Sequence, residues 1–141
     1  MKNYTSYDLI EWGKPFEKSQ HALPEPTLSE VLIRVTAAGL CHSDLHVQKG
    51  YMDLGEEGRL TFAERGAQLP MTFGHEIAGI VEAIGDKVKN VSIGQQVIVF
   101  PWIGCGDCLA CNEDRESDCS AMRIIGLKQK GGFATHCLIE N

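Results

Sequence analysis

Apolar residues in this chain recur at strand spacing far more often than at helix spacing. Across residues 30–40, Val31, Ile33 and Val35 alternate with Leu32, Arg34 and Thr36, which predicts a mostly buried strand. Residues 77–84 are apolar and rich in β-branched types, which suit a pleated, half-buried surface, and they run into the turn dipeptide Gly85-Asp86. A second turn, Ser92-Ile93-Gly94, leads into a predicted strand over 95–100, and Gly131-Gly132 opens another over 133–139. Helix signals are confined to residues 43–49, where Ser43 is the expected N-cap. Residues 51–70 read as a long, charged, glycine-containing loop whose stretch 53–69 has no assigned role. Short strands punctuated by Gly and Asp predict a mainly β domain, a barrel or a sandwich.

A length of 141 residues accommodates one domain with a sizeable core and not two ordinary ones. The formal net charge of −6 comes with no basic cluster, which excludes the phosphate backbone of nucleic acid as a partner. Residues 1–6 lead into no apolar stretch of signal-peptide length. The longest apolar runs, such as Val97-Ile98-Val99-Phe100, fall far short of a membrane span. A cytoplasmic protein with reduced cysteines is expected.

Four of the six cysteines, Cys105, Cys108, Cys111 and Cys119, follow a C-x2-C-x2-C-x7-C spacing. Zinc favours four soft, deprotonated ligands at short range, and a closed thiolate set leaves no open position. Two-residue gaps beside Gly104, Gly106 and Asn112 allow three thiolates of one loop to converge. The alternative, free or disulfide-bonded cysteines, suits an oxidising compartment. A lobe over residues 101–125 built on zinc is a structural device and does no chemistry.

Two further clusters hold the residue types of a catalytic zinc site: Cys41-His42-Ser43-Asp44-Leu45-His46 and Gly74-His75-Glu76. Cys41 and His75 supply the mixed thiolate and imidazole donors that such sites use. Ser43 and His46 stand three apart on one helix face, within reach of a proton transfer. Asp44 is placed to accept a hydrogen bond from the second nitrogen of His75 and fix its tautomer. Each piece alone has a plainer reading, Cys41 as packing and His75 as a satisfied polar group. Cys137, mid-strand, reads as a small buried residue.

Together these motifs resemble the zinc-containing medium-chain alcohol dehydrogenase family. Its G-H-E-x2-G-x5-G-x2-V signature stands as Gly74, His75, Glu76, Gly79, Gly85 and Val88, its C-H-S/T-D-x-H element as Cys41 to His46, and its zinc lobe as the four cysteines. The resemblance implies that residues 1–141 form a GroES-like β-barrel with short helices, the catalytic domain of such enzymes. It implies a catalytic zinc on Cys41 and His75 with Glu76 beside it. It also implies a proton path through Ser43, the cofactor ribose and His46, contact of His42 with the cofactor pyrophosphate, and Trp102 lining the alcohol pocket. For Trp102 a core aromatic beside the metal loop is the competing reading. The activity implied is oxidation of a small alcohol to a carbonyl compound by hydride transfer to NAD or NADP, in a homo-oligomeric parent.

The family is more than twice as long, with a Rossmann domain after the barrel. No G-x-G-x-x-G following a strand and opening a helix occurs in this sequence. The expectation is therefore a domain that needs a cofactor domain or a partner chain and is inactive without it. A stand-alone zinc-binding or interaction module is the alternative. A zinc-free quinone-reductase relative is a poor fit, because those relatives lack the four-cysteine lobe and the Cys41/His75 pair.

Overall fold

In a computed structural model that describes residues 2–140, the chain begins with an antiparallel hairpin, β1 (Asn3–Leu9) and β2 (Glu17–Ala22). The long strand β3 (Glu30–Gly39) follows, then the helix α1 (His42–Lys49). A small hairpin, β4 (Tyr51–Asp53) and β5 (Arg59–Thr61), precedes the short β6 (Met71–Thr72) and the second long strand, β7 (Glu76–Ile84). The order closes with β8 (Gln96–Val99), β9 (Trp102–Ile103), the one-turn α2 (Leu109–Asn112), β10 (Arg123–Ile124) and β11 (His136–Glu140). Met1 and Asn141 lie outside the described residues.

The strands pair antiparallel in sheets ordered β11-β3-β7-β8 and β2-β1-β6, with β4-β5 and β9-β10 as separate ribbons. The fold is mainly β as predicted. Among the described residues its sheets are not joined into one closed hydrogen-bonded ring, and the two larger ones meet at an isolated bridge, Ser6 to Ala134. Val31, Ile33, Ile77, Val81, Val99 and Ile139 form the core on the four-stranded sheet, joined by the buried Cys137. A second cluster of Leu9, Val47, Phe62, Ala67 and Phe73 seats the helix and the stretch after β5.

The structure corrects several boundaries. The helix starts at His42, with Cys41 and not Ser43 in the cap position. The cap is made by Asp44, whose Oδ2 accepts the Cys41 N–H at 2.9 Å, and an acid in the first turn also suits the helix dipole. The last strand begins at His136, not at 133. Residues 133–135 bond in too many directions for a ladder: Phe133 N–H to Phe73 C=O, Tyr7 N–H to Phe133 C=O, Thr135 N–H to Thr5 C=O and Val35 N–H to Thr135 C=O, at 2.8–2.9 Å. Residues 51–70 are not all loop. They contain the β4-β5 hairpin, over whose Tyr51 ring the Arg59 guanidinium lies 4.3 Å from the centroid, and Phe62 and Ala67 reach the core.

The β1-β2 hairpin escapes a reading by apolar alternation because its inward positions include polar residues. Ser6 and Asp8 are buried. Thr72 Oγ1 donates to Asp8 Oδ1 at 2.6 Å, and His21 Nε2 lies 3.1 Å from Asp8 Oδ2 and 3.0 Å from Ser6 Oγ. Burial opposes the charge on Asp8, yet bonds from Thr72, Ser19, Ser6 and His21 outweigh it and hold the carboxyl below its ordinary 3.8.

Because the folded pKa of Asp8 is depressed, the stability it contributes is present above 3.8 and is lost as pH falls through the lower folded value. Asp8→Asn should cost about 1–3 kcal/mol at neutral pH, the range for buried polar partners left unmatched. The gap from the parent should narrow in acid, measured by urea denaturation across a pH series. A gap that stays constant into the acid range would refute the assignment. At Gly131 a Cβ would fall 2.5 Å from the Phe73 carbonyl oxygen, so Gly131→Ala should lose about 1–3 kcal/mol through overpacking. An unchanged denaturation midpoint would show that the crossing of these two backbones is not tight.

Candidate metal centres

The four-cysteine lobe is assembled by short-range elements. Cys111 rides on α2, Cys108 caps it in extended conformation, and a 3-10 turn over Glu116–Asp118 delivers the buried Cys119. Cys105, exposed at the near end, donates its backbone N–H to Cys119 Sγ at 3.4 Å. Gly104 leaves space for the cluster, since a Cβ there would lie 2.6 Å from Cys111 Sγ. The four sulfurs lie within 4.8 Å of one another, with Cys108–Cys111 at 3.5 Å and Cys105–Cys111 at 3.9 Å. All six cysteines are free. Those spacings match the roughly 3.8 Å edge of a tetrahedron whose centre bonds each sulfur at about 2.3 Å, and they far exceed an S–S bond of about 2.05 Å.

The thiols are electrostatically strained against one another. Backbone N–H groups of Asp107 and Cys108 stabilise the Cys105 thiolate, lowering its pKa to about 6. For Cys111 the Gly106 N–H also favours the thiolate, but burial and the neighbouring Cys108, Cys119 and Cys105 outweigh it and push the pKa up to about 12. Four adjacent thiolates do not coexist without a cation between them, and a divalent ion of zinc's softness fits this donor set.

The second group is drawn from two elements distant in sequence. Cys41 stands at the N-terminus of α1, just beyond the end of β3. His75 follows a turn at Gly74, whose φ of 89° is readily adopted only by glycine, and Glu76 starts β7. The ligand atoms of Cys41, His75 and Glu76 lie within 4.8 Å of one another, so a thiolate, an imidazole and a carboxylate face one point. That donor set fits zinc of the open, catalytic type.

Asp44 ties the group together from behind. It is 4% exposed; one carboxylate oxygen holds the Cys41 N–H, and the other faces His75 Nδ1 at 3.7 Å. That second distance is an electrostatic contact and is longer than a hydrogen bond. Helix α1 is fixed at its other end by Gly50, whose N–H bonds to the His46 and Val47 carbonyls. The loop after β1 clasps that end, with Gly13 N–H on the Gln48 carbonyl and Gln48 Nε2 on the Lys14 carbonyl.

The remaining sequence-predicted residues are less convergent. The His46 ring lies against that of the exposed His42, centroids 4.8 Å apart, and among the described residues no hydrogen bond joins Ser43 to His46. Trp102 is 42% exposed and edge-on to Phe100, so the core-aromatic reading of it fails. With Phe100 it lines a cavity of about 540 Å³ that also touches Cys105 and Cys111, while Cys41, His75 and Glu76 are not in its lining. Sequence reasoning missed Gly39, which pairs with Glu76 across β3 and β7. The register of the two long strands is the signal that would have located it.

Residues 27–141 match the family model described as the alcohol dehydrogenase GroES-like domain. A curated NAD-dependent alcohol dehydrogenase of Sulfurisphaera tokodaii is 41% identical over 134 residues, 94% of this chain and 37% of the relative. Among solved structures, the D-arabinose dehydrogenase of Sulfolobus solfataricus superposes with a TM-score of 0.80 at 30% identity, covering 100% of this chain and 39% of the other. A cobalt- and zinc-bound thermostable alcohol dehydrogenase of Pyrobaculum aerophilum gives 0.80 at 26% identity, over 99% and 40% of the respective chains. The chain thus spans well under half the length of the relatives it matches.

The local, closed four-sulfur set should retain metal through purification. Structural zinc in small peptides is bound with on the order of 10 kcal/mol, so Cys111→Ser should lower the zinc content by one ion per chain. It should also speed proteolysis within residues 101–125 while leaving the β content intact. Equal zinc content and equal protection in that segment would refute a structural metal there.

Proposed function

Because the chain belongs to the medium-chain alcohol dehydrogenase family, as its GroES-like domain, we propose that it is the catalytic-domain portion of a zinc-dependent alcohol dehydrogenase. The reaction is oxidation of a small alcohol to an aldehyde or ketone by hydride transfer to NAD or NADP. The observation that supports this most directly is the convergence of Cys41, His75 and Glu76 with the buried Asp44 behind them. A structural zinc module without chemistry accounts for the four-cysteine lobe and leaves this second group without purpose.

Zinc held by Cys41 and His75, with Glu76 beside it, supplies a Lewis acid for the substrate oxygen. The chain's own side chains do the rest. Asp44 fixes the Cys41 backbone and stands on the Nδ1 side of His75, where it orients the ring toward the other donors. His46, one turn along the helix from the cap, is the base that accepts the substrate proton at a ring nitrogen and passes it to solvent, with Ser43 nearer the cap as the intermediate hydroxyl. His42 serves the cofactor phosphates, and Trp102 contributes apolar surface toward the alcohol from outside the Cys41–His75–Glu76 group. Positioning of the nicotinamide, which supplies several kcal/mol of the barrier reduction, is assigned to a dinucleotide-binding domain or a partner chain.

The chain fused to or mixed with a matching dinucleotide-binding domain should oxidise a primary or secondary alcohol in a zinc-dependent manner, and residues 1–141 alone should not. In that hybrid Cys41→Ser should abolish turnover. His46→Ala should slow it by about 10²-fold or more, most strongly at neutral and lower pH where hydroxide is scarce. A loaded hybrid without turnover, or full activity in Cys41→Ser, would overturn the reading.

A further inference from the structure

Gly39 is the last rung of the β3-β7 ladder and faces Glu76. Its backbone is that of an ordinary strand, outside the positive-φ glycines, so nothing conformational requires glycine there, and glycine inside a strand weakens it. What its missing side chain leaves is space, and a chemical group fills it. A Cβ built on Gly39 would fall on Glu76 Oε2, 3.1 Å from its Cδ and 2.9 Å from its Cβ. Gly79, on the same strand pair, differs: the nearest atoms to a Cβ there belong to Ile33 and the Arg34 backbone, not to a polar side chain. The carboxylate of Glu76 thus lies in the volume that any side chain at position 39 would take, while staying within 4.8 Å of the Cys41 and His75 donors.

We propose that Gly39 is a positioning residue of the Cys41–His75–Glu76 centre: lacking a side chain, it lets the Glu76 carboxylate fold across the strand pair toward the other two donors. Position 39 thereby sets whether the centre offers three protein ligands or two. This rests on the metal reading of that cluster. A carboxylate held in reach gives the ion a ligand when no substrate or water occupies its open position, and a methyl group at 39 removes that option. The side chain of Glu76 swings out easily, whereas its Cβ moves only with the strand, so Gly39→Ala has a stability cost separate from its effect on metal.

The test is a cobalt(II) titration of the 141-residue chain with zinc already in the four-cysteine lobe, followed by thiolate-to-cobalt charge transfer and d–d absorbance. Cys41→Ser identifies the signal of the second site by abolishing it. Gly39→Ala should weaken cobalt binding about 10- to 100-fold, the range for residues that orient a ligand, and lower the d–d intensity as water replaces the carboxylate. In a Glu76→Ala background the same change should have no further effect. Parent-like binding by Gly39→Ala, or an equal loss with and without Glu76, overturns the role of Gly39 alone. A titration unaltered by Cys41→Ser overturns the metal reading and Gly39 with it. Where Gly39→Ala does not fold, the exchange Gly39→Asp with Glu76→Gly puts a carboxylate in the same volume from the facing strand. It should bind cobalt about 10-fold tighter than Glu76→Gly alone, and no gain sinks the proposal.

Discussion

Where residues 131–133 cross residues 72–74, three consecutive backbone N–H groups, from Gly131, Gly132 and Phe133, donate to the carbonyls of Thr72, Gly74 and Phe73 at 2.7–2.9 Å. Two backbones approach this closely only without a side chain between them, and the glycines provide that. The next residues turn outward to Thr5 and Val35 on the two sheets. One irregular stretch therefore joins both sheets to the turn that presents His75. Buried backbone groups must be paired somewhere, and here the pairing also fixes the place where β7 begins. Without that crossing, the Asp8–Thr72 contact, the seat of Phe73 and the direction of His75 would have no common anchor.

The two donor groups differ in what holds them. The four cysteines converge through one helical turn and one 3-10 turn, so the obstacle is to their deprotonating together, and a cation among the thiolates relieves it. Cys41, His75 and Glu76 converge because a helix cap, a glycine turn and a strand start happen to meet. No two of these are covalent neighbours except His75 and Glu76, and the buried Asp44 is what couples the cap to the imidazole. A set of that kind can tolerate an open position, since its geometry is imposed by the fold and not by an ion.

Much of this was legible in the sequence where the signal is local. The cysteine spacing, the Gly74-His75-Glu76 run and the apolar strands around Val31, Ile77 and Val97 all lie within a few residues. The β1-β2 hairpin was not legible, because its buried face includes Ser6 and Asp8, whose partners Thr72 and His21 come from other strands. The cap at Cys41 was missed because Ser43 is the stronger capping residue, and the local bond from the Cys41 N–H to Asp44, three residues on, overrode that preference. Residues 51–70 looked like loop through their charges, although Met52 and Phe62 pack in the second core cluster and Arg59 covers Tyr51. Gly39 could not be read at all without the register that sets it against Glu76.

The crossing at residues 131–133 has a temporal meaning for a chain made from its N-terminus. Cys41 and His75 leave the ribosome early, but the bonds that fix the turn at Gly74 come from Gly132 and Phe133, among the last residues of the domain. The four cysteines, by contrast, close a loop of modest length, and loop closure of that kind is fast and entropically inexpensive. Any metal taken up by the nascent chain would thus be captured in an order opposed to that of synthesis. The later-made cysteine lobe can close first, and the group containing Cys41 gains its shape only when the strap at 131–135 has emerged.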